Sequence, residues 1–402
     1  MFKTLDELGG CWPTHPQELL LKAAVLHGET AISAWKEWIS SVDIERLDWG
    51  SYRLIPLLYQ NLSELGVDDP IMKRLKGVYR YTWCKNQVLF GAMSRFLPSF
   101  SEAGINTMVL KGPALVLLHY GDYGLRPMDD FDILVPTERA TDAINLLKEH
   151  GFVPVKEKSP ETILPKRHST PFRNSSQLNL DLHWHIFEDT ASGADDSDFW
   201  DAAVPVTVNG VSSCALNPAD QMLHAFVHGI KWNAAPPFRW IADAMTIVKT
   251  SGNEIDWGRL VEKARKCRFV LPVRDGLVYL QEEFGANVPK DILQALHSEP
   301  VTNKERILYD VQVRPYNKYG RNRMLFIQTQ FERYLVVEQS DQQKNKLVRF
   351  LNFIKIFWKV DNYWKIPFYA IGKSIRRVFL IGHWYKSHNS AESITIRSDG
   401  SK

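Results

Sequence analysis

The sequence predicts an α+β protein: a small mixed β-sheet core flanked by N-terminal and C-terminal helical regions. Three observations predict this. Apolar residues recur at helical spacing over the first hundred residues. Short apolar runs then alternate with turn and capping residues between about 101 and 215. From Asn217 onward helical spacing returns. The chain has 402 residues, 45% of them hydrophobic, with 13 Trp, 14 Tyr and 20 Phe, enough for a large packed core. Its 49 basic and 46 acidic residues nearly balance, which argues against a bulk nucleic-acid binder.

The stretches "HPQELLLKAAVL" and "VLFGAMSRFLPSF" place residues 1–100 in an N-terminal helical region. The α/β core is assigned to 101–215. It opens with "INTMVL", a short strand, and "KGPALVLLHY", a turn entering a helix with Pro113 suited to its first position. "DFDILV" is a second strand. Thr137 is expected to cap a helix over "ERATDAINLLKEHG" that ends at Gly151. "FVPV" and "QLNLDLHWHIF" follow as strands, and "VPVTVNGVSSCAL" as a hairpin turning at Asn209-Gly210. Asn217 and Pro218 start a helical domain over 216–300 that packs on the core. Residues 301–402 form a basic, aromatic-rich C-terminal helical region. From Lys346 to Lys402 there are 11 Lys and Arg against 3 Asp and Glu. Its 346–386 stretch suits packed helices with a solvated basic face, with weak contact to a membrane surface or a polyanion as the alternatives.

The four cysteines are far apart and form no CxxC pair, which argues against a zinc site or a disulfide framework. No secretory h-region opens the chain, and no uninterrupted apolar run of about 18 residues occurs. The expected compartment is the cytoplasm. "GKS" at 372–374 has Pro367 where a P-loop needs glycine, so it is not one.

The chemistry gathers in "RPMDDFDILV". Strand alternation puts Asp130 and Asp132 on one face, about 7 Å apart along the strand. Two carboxylates that close repel one another unless a cation compensates them. Mg²⁺ prefers carboxylate and phosphate oxygens. In "LNLDLHWHI" alternation places Asp181, His183 and His185 on one face and supplies a third carboxylate. Three carboxylates on two strands suit metal-assisted in-line phosphoryl or nucleotidyl displacement. The plain alternative is a solvent-facing edge pair. At Lys111-Gly112, glycine lets backbone N–H groups approach a phosphate, and Lys111 adds a point charge. An ordinary strand-to-helix turn reads the same way. Arg126 either clamps a phosphate or pairs with Asp129. His183 orients Asp181, contacts a phosphate, or is a hydrogen-bonded interior residue. His183, His185, His224 and His228 are a weak transition-metal set, since the Glu of HExxH is missing. Arg239 and Asp243 stand at a spacing that permits a local helix ion pair.

Taken together, "MVLKGPALVLLHYGDYGLRPMDDFDILV", "LDLHWHIF" and "FRWIADAMTIV" resemble the uncharacterised bacterial nucleotidyltransferase family of the polymerase-beta-like superfamily, over about residues 80 to 250. The resemblance implies a small mixed sheet and Mg²⁺ or Mn²⁺ with a nucleoside triphosphate such as ATP as co-substrate. It implies Asp130, Asp132 and Asp181 as metal ligands and catalytic residues, with Asp181 also helping to deprotonate an acceptor hydroxyl. It implies Gly112 as the glycine of the phosphate-holding turn, with Lys111-Gly112 where the superfamily usually has Gly-Ser. The acceptor is left open among a small molecule, a sugar, a protein and an RNA. The competing expectation is a non-catalytic relative that binds a nucleotide or docks on a partner.

Overall fold

A computed structural model describes residues 11–155, 160–164, 167–187, 196–231, 235–313, 327, 331, 334, 345–358 and 360–371. The N-terminal decapeptide and residues 372–402, with "GKS" and the 372–386 part of the basic stretch, lie outside the described residues. The chain divides into two compact units, residues 1–329 and 330–402. The first holds everything discussed below apart from the helix Lys346–Phe357 of the second.

Seven strands form one mixed sheet: β1 (Met108–Leu110), β2 (Phe131–Leu134), β3 (Phe152–Pro154), β4 (Ser169–Asn174), β5 (Asn179–His183), β6 (Val204–Val208) and β7 (Val211–Ala215). Their order is β3-β4-β5-β2-β1-β7-β6. β2 runs antiparallel to β1 and parallel to β5, and β1 runs parallel to β7. The hairpin at Asn209-Gly210 forms as expected, with Val208 opposite Val211. Both turn residues have positive φ, 45° and 87°, the backbone that a two-residue connection needs to match strand twist.

Side-chain alternation sorts the core into two clusters. Val109, Phe131, Ile133 and Leu182 face one way, with Phe90, Met93, Leu97 and Phe100 of the 31-residue helix Met72–Glu102 and Ala143, Ile144 and Leu147 of Ala140–Glu149. Met108, Leu110 and Leu134 face the other way, in one cluster with Leu20, Trp35 and Trp38 of the N-terminal helices and Leu223, Phe226 and Trp240 of the later ones. The N-terminal helices His15–Val25, Gly28–Ser41 and Ile55–Glu64 therefore share a core with Pro218–Gly229, Arg239–Ser251 and Val270–Phe284. Asn217 caps its helix, accepting from the Asp220 amide at 3.0 Å, with Pro218 first.

Three local expectations change. β4 was not foreseen, because "STPFRN" is polar and carries a proline, which usually argues against a strand flanked on both sides. Thr137 does not cap the helix after it. Its hydroxyl donates to the Trp184 carbonyl at 2.7 Å, and a short 3₁₀ turn, Thr137–Arg139, intervenes. The strand expected over 177–187 stops at His183. The Trp184 and His185 amides both donate to the His168 carbonyl, which breaks the two-residue alternation.

Candidate active site

The site lies on the sheet face that carries Leu110 and Leu134, where alternation also puts Asp132. In the parallel β2–β5 pair Asp132 stands opposite Asp181 and Leu134 opposite His183. Ligand atoms of Asp132, Asp181 and His183 all lie within 4.8 Å of one another. His183 is fully buried, with Nε2 2.9 Å from Asp132 Oδ1 and 3.6 Å from Asp181 Oδ2. It therefore bonds to Asp132 rather than Asp181. Asp130 stands outside that set, exposed at the pocket rim.

Lys111 begins the helix Lys111–Leu115 directly after β1 and has φ +49°, an uncommon backbone for a side-chain-bearing residue. That turn sends Nζ back to Asp132 Oδ1 at 2.5 Å and to within 3.4 Å of His183 Nε2. Gly112 is required by close approach: a Cβ there would meet an Arg126 guanidinium nitrogen at 2.6 Å and Met128 Sδ at 2.7 Å.

The carboxyls have different characters. Burial works to raise the Asp132 carboxyl, but Lys111 and the His183 hydrogen bond outweigh it and hold it far below the usual range. Burial raises Asp181, only partly offset by His183. Crowding by protein, then the charge of Asp132, pushes Asp130 up to about 6, although its side chain stays reachable by solvent. One Asp181 oxygen, Oδ1, is buried without a hydrogen-bond partner, as is His183 Nδ1. A bare, buried carboxylate oxygen beside a second carboxylate is what a divalent cation would satisfy, so Asp132, Asp181 and His183 fit a metal.

Arg126 does not pair with Asp129. It is 7% exposed and forks onto Asp243, with Nε to Oδ1 at 2.8 Å and Nη2 to Oδ2 at 2.9 Å. Tyr120 also donates to Asp243 Oδ1. The local Arg239–Asp243 pair is thereby displaced, and Arg239 donates instead to the Pro127 carbonyl at 2.8 Å. Burial, then the nearby Arg126 charge, lowers Arg239 to about 9. Asp129 is held by Arg53 at 3.2 Å and by Lys85. Buried Asn86 donates to the carbonyls of Tyr123 at 2.6 Å and Arg126 at 2.9 Å. The segment carrying the acidic residues is thus fastened from two helices. Sequence reasoning missed Asn86, Lys85, Arg53 and Tyr120. The only local signal was Asn86 on the apolar stripe of its helix.

The four-histidine set does not assemble. His185 Nδ1 lies 2.9 Å from Asp196 Oδ2, and among the described residues the four share no group of metal-ligand atoms. His224 and His228 line the pocket, with ring centres 5.9 Å apart. Burial drives both toward the neutral form, His228 to about 3.

Two cavities meet at Asp130. The first, about 290 Å³, is lined by Lys111, Gly112, Arg126, Asp130, Asp132 and Arg239 among others. The second, about 600 Å³, is lined by Arg167, His168, Arg173, Asn179, Asp130 and Asp181 among others.

No curated protein sequence matches the chain closely enough to count as a relative. Among solved structures it is similar to the antibiotic-resistance factor ANT(2'')-Ia in solution, at 13% identity and TM-score 0.32, covering 50% of this chain and 99% of that one. It is similar to a crystal structure of ANT(2'')-Ia with adenylyl-2''-tobramycin, at 14% identity and TM-score 0.32, covering 45% and 97%. It is also similar to an antigenic nucleotidyltransferase-like protein from Paracoccidioides brasiliensis, at 12% identity and TM-score 0.31, covering 53% and 94%. The model of one family, described as uncharacterised nucleotidyltransferase, matches residues 51–285, more than half of the chain and all of the site, and the chain belongs to that family.

Proposed function

We propose that the chain moves a nucleoside monophosphate from a nucleoside triphosphate to an acceptor, with release of pyrophosphate, using Mg²⁺ or Mn²⁺. The observation that carries this is the β2–β5 register, which sets Asp132 beside Asp181 with His183 next to both. Asp132, Asp181 and His183 would hold the metal, with Asp130 joining from the rim. A bound divalent ion supplies positive charge to the transferring phosphoryl group and its leaving oxygens. The chain's own residues do the rest. The Lys111-Gly112 turn and Lys111 Nζ bind triphosphate oxygens once a metal relieves Lys111 of Asp132. Arg126, tied to Asp243, holds the acidic segment in place rather than clamping phosphate. Asp181, whose carboxyl is raised by burial, takes the acceptor hydroxyl's proton as the new O–P bond forms and pyrophosphate departs. The proposed compartment is the cytoplasm, supported by four cysteines that are all free. Among the described residues no helix is long and apolar enough to cross a membrane.

One observation favours a second reading, a nucleotide-binding relative without transfer: Lys111 already neutralises Asp132. Calorimetry with ATP, GTP, CTP and UTP, with and without Mg²⁺, tests the first reading. We expect metal-dependent binding of one triphosphate, at least about tenfold weaker in Asp130→Asn and Asp181→Asn. Absence of binding to all four would overturn the proposal. Metal-dependent binding with no pyrophosphate release toward any acceptor would move the second reading ahead.

A further inference from the structure

The 600 Å³ cavity on the β4–β5 side is separate from the turn that would bind the triphosphate, yet it shares Asp130 and Asp181 with the acidic site. Its walls carry two guanidinium groups. Arg167 is half-buried and, among the described residues, has no hydrogen bond and no ion-pair partner. Among the described residues Arg173 is held by neutral groups, with Nε donating to Asn179 Oδ1 at 2.8 Å and Nη1 to Gln177 Oε1 at 3.5 Å. Among the described residues, the carboxylates on the same walls are Asp130 and Asp181. All four side chains line one cavity, and among the described residues neither arginine pairs with Asp130 or Asp181. When Asp130 and Asp181 serve a cation, the cavity's remaining charge is positive. A planar, permanently charged fork left unpaired in a cleft matches the oxygens of a phosphate or a carboxylate.

We infer that this cavity is the acceptor subsite and that the acceptor carries an anionic group, a phosphate monoester or a carboxylate, bound by Arg167 with Arg173 assisting. The inference rests on the nucleotidyltransferase reading, because it takes Asp181 as the residue facing the acceptor hydroxyl. The anion is then anchored on β4 and its approach while the nucleophilic hydroxyl lies at Asp181 on β5, directly across the Pro171–Asp181 pairing. The bond that forms is between that hydroxyl oxygen and the α-phosphorus. The anionic group is not altered in the reaction.

The test is probe binding to the full chain with Mg²⁺, followed by NMR or calorimetry, with and without a non-hydrolysable triphosphate analogue. Glycerol 3-phosphate, glycerate and glycerol differ chiefly in the charged group, and comparing the first two separates phosphate from carboxylate. Both anionic probes, or one of them, should bind while glycerol does not. Arg167→Gln should weaken that binding about tenfold or more, and Arg173→Gln by less, with the analogue's affinity unchanged in both. Among the described residues Arg167 has no hydrogen bond or ion pair to lose, so its variant should fold as the parent does. Equal binding of glycerol and the charged probes, anion binding indifferent to Arg167→Gln, or competition between analogue and probe would each overturn the assignment. If the analogue fails to bind while the probe still needs Arg167, the transferase reading falls and the anion site stands.

Discussion

Asp132 shows how one residue's surroundings decide its chemistry. It is 4% exposed, and its charge is met by Lys111 and His183, not by an arginine nearby in sequence. Asp243 is the other buried carboxylate that matters here. Burial works to raise its carboxyl, but the Arg126 fork outweighs this and lowers it. A folded-state value below the unfolded value of about 3.9 means the pair stabilises the fold above about pH 4. That contribution is lost as pH falls through the folded value. Asp243→Ala leaves a buried guanidinium without its partner, a loss of about 3–5 kcal/mol. Urea unfolding should show this gap in full near neutrality and a narrowing gap below about pH 4. A gap independent of pH would assign the cost to packing. The shared face of Asp132 and Leu134 was legible because alternation is local arithmetic, whereas Asp130, just before β2, stands outside the Asp132, Asp181 and His183 group. Arg126's partner was not legible, because 117 residues separate it from Asp243.

At the scale of elements, the helix Met72–Glu102 is more than a wall of the core. Its apolar spacing foretold the buried stripe of Leu89, Phe90, Met93 and Leu97. It did not foretell that Asn86, fully buried on that stripe, would hold two carbonyls of the 123–126 segment. Asn86→Leu keeps the volume and removes both donors. Two carbonyls then lose their partner, at about 1–3 kcal/mol each. We expect stability to fall accordingly in urea unfolding, and metal-dependent triphosphate binding to weaken beyond what global unfolding explains. Unchanged nucleotide affinity in the folded variant would show that Asn86 supports the fold alone. The β-strands were legible where they alternate or run apolar, as in β1, β2 and the β6–β7 hairpin. β4 was hidden because its place is set by pairing with β3 and β5 and not by its own composition.

Across the whole molecule, the cluster joining the N-terminal helices to the helices after Asn217 runs from Cys11 to Val313. A cavity cut at one end should be felt throughout. Trp38 is 1% exposed, and Trp38→Ala should cost about 3–5 kcal/mol. Far-UV circular dichroism and tryptophan fluorescence should report one shared, shifted urea transition for the residue 1–329 unit. Two separated transitions would show that the N-terminal helices unfold on their own. The near-neutral balance of 49 basic and 46 acidic residues recurs locally, with Arg53, Lys111, Arg126 and Arg239 crowded around four aspartates in the smaller cavity.

What the sequence alone determined was periodic: where most helices and strands lie, which side chains along them share a face, and the α+β class of the core. Those follow from repeats of 3.6 and 2.0 residues, which need no distant partner. Only the tertiary structure decided which charge meets which. It set Lys111 on Asp132, Arg126 on Asp243 and Arg53 with Lys85 on Asp129, and among the described residues it gave Arg167 no ion-pair partner. Ion pairing depends on which groups folding brings within a few ångströms in a region poor in water, and no local pattern encodes that distance.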